Sequence, residues 1–189
     1  MGSGRARLAE FEQRALPHLD AAHNLALWLV RSRPDAEDIV QDAYLRAFKA
    51  FDTCEGENIK PWLLAIVRNL AYRWHSTRKK AANVISLDEA LSARTGAGEG
   101  SDFASDEASA EDLLVGQAER ALVVKALAEL PPPFREAIVL REMEELSYQD
   151  IATIAGVPVG TVMSRLSRAR ALLRTRLTEL IEKEDRNAV

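Results

Sequence analysis

The chain has 189 residues, 47% of them hydrophobic, which is enough for one large packed domain or two small ones. No apolar run approaches the ~20 residues of a membrane span, and the start MGSGRARLAEFEQ lacks the apolar core of a signal peptide, so neither membrane insertion nor export is expected. A formal net charge of −4 is the wrong sign for a protein that coats nucleic acid indiscriminately, so any affinity for phosphate must be local.

Residues 6 to 31 predict two helices broken near Pro17, the second carrying Ala22, Leu25, Ala26 and Leu29 at helical spacing as core. Asp35, after Pro34, predicts the start of a third helix, DAEDIVQDAYLRAFKAFD. Ile39, Val40, Ala43, Ala47 and Phe51 fall on its inner face. Asp38, Gln41, Asp42, Leu45, Arg46 and Lys49 fall on its outer face, which taken alone is a solvated surface. The loop TCEGENIK follows. Its Cys54 is the only cysteine, and His18, His23 and His75 share no metal-ligand spacing with it. An internal disulfide and a zinc knuckle are therefore excluded, no cofactor is expected, and a reducing cytoplasm is the expected location.

Pro61 fits the first turn of a fourth helix, with Leu63, Ile66, Val67, Leu70 and Trp74 as its buried stripe. Arg68, Asn69, Tyr72 and Arg73 lie on the other side. From Ile59 to Leu87 there is no acid, while Lys60, Arg68, Arg73, Arg78, Lys79 and Lys80 are cationic. Interleaved with Trp62, Tyr72 and His75, this is the composition in which single-stranded bases stack on aromatics while the backbone is held electrostatically. Trp74 reads as core.

From Ser86 to Asp112 the composition shifts to Ser, Ala, Gly and acid, with eight carboxylates against Arg94 alone. So little apolar surface cannot offset the entropy of ordering the segment, which predicts a flexible acidic linker over 86–110. It would separate a domain at 1–85 from a second at 111–183. The second opens with a helix carrying Leu114, Ala118, Leu122, Ala126 and Leu130, stopped by Pro131, Pro132 and Pro133; Phe134 to Met143 makes the next. No strand and no internal repeat is expected, so the fold class is all-α.

SYQDIATIAGVPVGTVMSRLSRAR, residues 147–170, predicts a helix-turn-helix. Ser147 with Asp150 forms a capping-box-like start, Gly156 supplies the left-handed residue past the helix end, and Pro158 suits the first turn of the next helix. There Val162, Leu166, Ala169 and Leu173 share one face. Thr161, Ser164, Ser167 and Arg168 point away from it, with Met163, Arg165 and Arg170 on the flanks, an arrangement suited to groove edges and phosphates. Val157 to Thr178 holds no acid, and Arg165, Arg168, Arg170, Arg174 and Arg176 are all cationic. Nucleic acid is the expected partner.

Together these residues resemble a bacterial sigma factor of the extracytoplasmic-function (ECF) type. LPPPFREAIVLREMEELSYQDIATIAGVPVGTVMSRLSRARALLR resembles the family's fourth region, and DAEDIVQDAYLRAFKAFD followed by PWLLAIVRN resembles its second. The resemblance implies a dissociable promoter-recognition subunit of core RNA polymerase. The carboxy-terminal domain would read the −35 element as duplex, and the amino-terminal domain would capture the −10 element as it melts.

Carried over residue by residue, the resemblance puts Ser164, Ser167 and Arg168, beside Thr161, at the −35 bases, and Arg165 and Arg170 on phosphates. Asp38, Gln41, Asp42 and Leu45 would meet the coiled coil of the largest polymerase subunit. The loop from Thr53 to Lys60, with Trp62, Arg68, Asn69, Tyr72 and Arg73, would receive the displaced −10 strand. An anti-sigma factor that buries the polymerase-facing surfaces is a further implied partner. Met163 departs from the family, standing where many relatives carry Lys or Arg, and Ile59 stands where an aromatic is common.

Two other function classes compete. A self-sufficient helix-turn-helix regulator with an amino-terminal sensor domain would bind its promoter tightly without polymerase, but the basic, aromatic-bearing helix from Pro61 would be surplus in a sensor. An enzyme with a helical tail has no support, because the sequence holds no nucleophile motif, phosphate loop or metal set.

Overall fold

A computed structural model describes residues 2–54, 58–85 and 110–187. Residues 86–109 of the proposed linker therefore lie outside the described residues, as do positions 55–57 of the loop before the fourth helix, while Ala110, the last residue given to the linker, already opens a helix. Among the described residues there are helices and turns and no strand. No described helix is long and apolar enough to cross a membrane.

Helix α1 spans Gly2–Ala15 and α2 spans Leu19–Val30, separated at Pro17 by one 3-10 turn. Arg31 ends α2 in the left-handed conformation, φ 59°. Helix α3, Arg33–Lys49, starts two residues before the predicted Asp35. The reason is Pro34: it lacks an N–H and has a preset φ, so it belongs inside the first turn, and Ser32 takes the position before the helix. Helix α4 is Ile59–Ile85, with Pro61 again in its first turn.

In the second half, α5 spans Ala110–Glu129 and α6 spans Pro132–Ile138. The helix predicted to run on to Met143 does so with a changed hydrogen-bond pattern. Val139–Met143 is π-helical, the Glu144 N–H reaching back five residues to the Val139 carbonyl at 3.1 Å. The insertion widens the last turn, and Glu145 follows at φ 55°.

Helices α7, Tyr148–Ala155, and α8, Val159–Asn187, form the helix-turn-helix. The Ser147 hydroxyl accepts from the Asp150 N–H at 3.1 Å, and the Asp150 carboxylate accepts from the Ser147 N–H at 3.3 Å, a reciprocal capping box. Gly156 sits at φ 64°, ψ 39°. Its N–H and that of Val157 return to the Thr153 and Ala152 carbonyls, the paired bonds of a Schellman turn. Pro158 stands one residue earlier than predicted, just before α8, where its carbonyl accepts from Thr161 and Val162.

Ile39, Val40, Ala43, Ala47 and Phe51 of the first half are buried, as are Val162, Leu166 and Ala169 of the second. One buried cluster runs through both halves, joining Leu25, Leu29, Val40, Val67 and Leu70 to Leu127, Ile138, Leu140, Ile151 and Leu166. The contact is made by α2 against α6 and by α4 against α7. A smaller cluster under α1 packs Phe11 edge-to-face on Tyr44, Phe48 and Phe51.

Candidate nucleic-acid interface

The buried stripe of α8 fixes which of its residues reach solvent. With Val162 and Leu166 packed on the core, Ser164, Ser167 and Arg168 are exposed on the far side, and Thr161 is half-buried at the helix start. The Ser164 hydroxyl donates to the Thr161 carbonyl at 2.9 Å, so its oxygen remains a free acceptor. Helical phase sends the two flanking arginines to opposite sides. Arg170 pairs with Glu142 of the π-helical segment at 2.7 Å, beside a shallow groove of about 380 Å³ lined by Tyr148, Met163, Ser167 and Arg174. Arg165 instead lines a small gap with Glu136, Ile151 and Val162, on the side that faces α4. The structure thus gathers Thr161, Ser164, Ser167 and Arg168 on one face, and turns Arg165 away from it.

The residues of α4 divide in two. Asn69 and Arg73 are exposed. Lys60, Arg68 and Tyr72 are engaged by carboxylates of the second half. Lys60 forms a 3.0 Å ion pair with the Glu144 carboxylate and donates to the Glu144 carbonyl at 3.0 Å. Nearby, burial and then Lys60 keep the His18 imidazole below its ordinary pKa, although Glu144 pulls the other way. Arg68 is ion-paired to Glu136, and the Tyr72 hydroxyl donates to the other Glu136 oxygen at 3.0 Å. The Arg68 guanidinium also lies 4.5 Å from the centre of the Tyr72 ring. Burial, reinforced by Glu136, pushes the Tyr72 phenol up from its ordinary value, so it is a donor at any ordinary pH.

Trp62 is half-buried against the cluster around Phe11 and Leu63 rather than stacked in the open. Trp74 packs against the main core as expected, its indole N–H donating to Asp35 at 3.1 Å under the Arg78 guanidinium. His75 contacts the Leu29 carbonyl at 2.7 Å, which ties it to α2.

On α3, Asp38 and Gln41 are exposed and Leu45 is 62% exposed, the largest value for a large apolar side chain among the described residues. Asp42 accepts from Arg46 at 2.9 Å, and this hydrogen bond holds its carboxyl below the ordinary range. The four residues form one outward strip, with Asp38, Gln41 and Leu45 exposed and Asp42 half-buried.

Sequence reasoning missed Glu136 and Glu144. For Glu136 a signal was present: it precedes the buried Val139 and Leu140 by three and four residues, so periodicity sets a carboxylate on an inward stripe, where it needs a partner. No group of His, Cys, Asp and Glu fit to hold a metal occurs among the described residues.

A family model for Sigma-70 region 2 matches residues 16–81, and one for Sigma-70 region 4 matches residues 120–173. The ECF RNA polymerase sigma-E factor of Escherichia coli is 32% identical over 166 residues, covering 85% of this chain and 84% of that protein. The sigma-E factor of Haemophilus influenzae is 32% identical over 153 residues, covering 79% and 78%. Among solved structures, the sigma factor RpoE of Bartonella quintana, in complex with the anti-sigma factor NepR, matches with a TM-score of 0.67 and 31% identity over 89% of this chain and 97% of that one. CnrH, in complex with the cytosolic domain of CnrY, shares the fold, with a TM-score of 0.60 and 23% identity over 94% and 91%. With both regions matched in order, and with relatives this similar over most of its length, the chain belongs to the Sigma-70 family as a sigma factor of the ECF type.

Proposed function

We propose that this sigma factor binds core RNA polymerase in the cytoplasm, does no chemistry of its own, and divides promoter recognition between its two halves. The residues with base-edge chemistry on α8, Ser164, Ser167 and Arg168 beside Thr161, read the −35 element in the major groove, with Arg170 on the backbone once Glu142 yields it. Arg165 holds phosphate only where the second half has left α4. Lys60, Trp62, Arg68, Asn69, Tyr72 and Arg73 take the melted −10 strand. Asp38, Gln41, Asp42 and Leu45 dock on polymerase. An anti-sigma factor is a further partner, as in the complex of RpoE with the anti-sigma factor NepR.

The observation that carries this reading is the pairing of two acid-free basic stretches, Val157 to Thr178 and Ile59 to Leu87, one presented by a helix-turn-helix and one interleaved with aromatics, in a single chain. A duplex reader needs the first, and only a protein that also handles single strands needs the second. Transcription from a promoter selected out of genomic fragments, with and without core polymerase, is the test. Dependence on both proteins is expected. Tight promoter binding by the chain alone, with no effect on transcription by core polymerase, would return it to the class of stand-alone regulators.

A further inference from the structure

From Val159 to Arg170 every exposed side chain of α8, Gly160 aside, is polar or charged except that of Met163. Met163 is 54% exposed and belongs to neither buried cluster, so the fold gives its thioether no packing role. Helical phase nevertheless gives it a definite place. It lies one turn before Ser167 and two turns before Arg170, on the edge between the side chains with base-edge chemistry and the arginine read above as reaching the backbone. Ser167, Arg170 and Arg174 line the same shallow groove as Met163, and Leu166 and Ala171 give that groove an apolar wall.

On the major-groove edges of the base pairs the C5 methyl of thymine is the apolar group, the rest being hydrogen-bond donors and acceptors. That methyl lies toward the backbone of its own strand, the side from which Arg170 and Arg174 would approach phosphate. We propose that Met163 is a specificity-determining residue of α8, recognising a thymine of the −35 element by apolar contact with its C5 methyl. The inference rests on the reading of α8 as the −35 helix, and adds to it a position where an A·T pair is selected with no hydrogen bond. A flexible, polarizable thioether suits the task, since it can follow a methyl through small shifts of the groove wall. The selection it gives is modest. One methyl-sized group taken out of water is worth about a four-fold change in affinity, less than a bidentate arginine contact supplies.

The test deletes the methyl from the DNA before it touches the protein. Deoxyuridine replaces thymidine, one position at a time on either strand, across the −35 element of a promoter obtained by selection, and binding of the holoenzyme to each duplex is measured by competition. At one position the wild type should bind about four-fold more weakly. Met163→Ala should bind the thymine duplex more weakly by a similar factor and be indifferent to uracil there. Met163→Lys, which keeps the length but ends in a cation, should be equally indifferent to it. The wild-type arm needs no variant, so a folding defect cannot imitate its result. Equal uracil sensitivity in wild type and Met163→Ala would give the methyl to another side chain and overturn the proposal. So would wild-type binding indifferent to every uracil, or selected −35 elements without thymine on either strand. Failure of the underlying reading has a separate signature: Arg168→Ala would then leave base preference unchanged at every −35 position.

Discussion

Arg135 is buried with no ion pair among the described residues, and its hydrogen-bond partners are all backbone carbonyls. Its guanidinium donates to the carbonyls of Leu127, Ala128 and Leu130 at the end of α5, and across the seam to the Trp28 carbonyl of α2, at 2.7 to 3.0 Å. The three carbonyls at the end of α5 lie at the negative end of a helix that runs into Pro131 to Pro133, which have no N–H to give. One cation therefore satisfies several acceptors at once, the Leu127 carbonyl also accepting from the Leu130 N–H at 3.2 Å. Burial draws the Arg135 pKa down to about 10, which still leaves it charged at neutral pH. Arg135→Met keeps much of the volume and abandons the carbonyls, and it should cost about 3 kcal/mol or more in urea unfolding. A loss within a few tenths would show that water replaces the guanidinium freely. Arg168 is a contrasting case, an exposed side chain with no ion pair among the described residues. Its truncation to Ala should leave stability alone and weaken recognition at one −35 position by about 1 to 3 kcal/mol, the worth of a bidentate base contact. A promoter panel in which every sequence weakens equally would make Arg168 a phosphate contact instead.

At the scale of elements, the helix-turn-helix was the most legible part of the chain, because its signals are local. Ser147, Asp150 and Gly156 each act within a few residues of themselves, and all three do what their chemistry predicts. A Cβ at Gly156 would meet nothing within 4 Å, so only its φ of 64° opposes a side chain. Gly156→Ala should therefore cost about 1 to 2 kcal/mol through backbone strain alone, and Gly156→Asn less, since Asn tolerates that region. Equal cost for the two would point to a packing defect. The errors at Pro34 and Pro158 are displacements of one or two residues, where a preset φ fits either side of a helix start. The π-helical turn at Val139–Met143 had no sequence signal that we can name. On α3 the outward strip carries no core residue, so Asp42→Arg should impair holoenzyme assembly while leaving far-UV circular dichroism as in wild type and lowering the melting midpoint only by the small amount that loss of the exposed Asp42–Arg46 pair costs. Unaltered affinity for core polymerase would make the strip an ordinary solvated face.

The relation between the halves could not be read from the sequence at all. Arg68 and Glu136 lie 68 residues apart, on either side of a segment whose composition predicts flexibility, and nothing local marks them as partners. Yet the shared cluster means that the halves should not melt independently. All three tryptophans, Trp28, Trp62 and Trp74, lie in the first half, so their fluorescence reports that half alone. Trp28 is buried, and its carbonyl is the acceptor that Arg135 reaches across the seam. The double variant Ser147→Ala and Gly156→Ala damages only the helix-turn-helix, removing a cap and straining a turn for a combined loss of about 2 kcal/mol. In a molecule of this size such a loss lowers the melting midpoint by about 4 to 8 °C. Circular dichroism, which samples both halves, should fall by that amount in either case. Tryptophan fluorescence decides between coupling and independence: through the shared core its midpoint should fall together with the dichroism. A fluorescence midpoint that stays at the wild-type value while the dichroism drops would mean that the first half keeps its fold after the second is lost, and that the common core adds nothing to cooperativity.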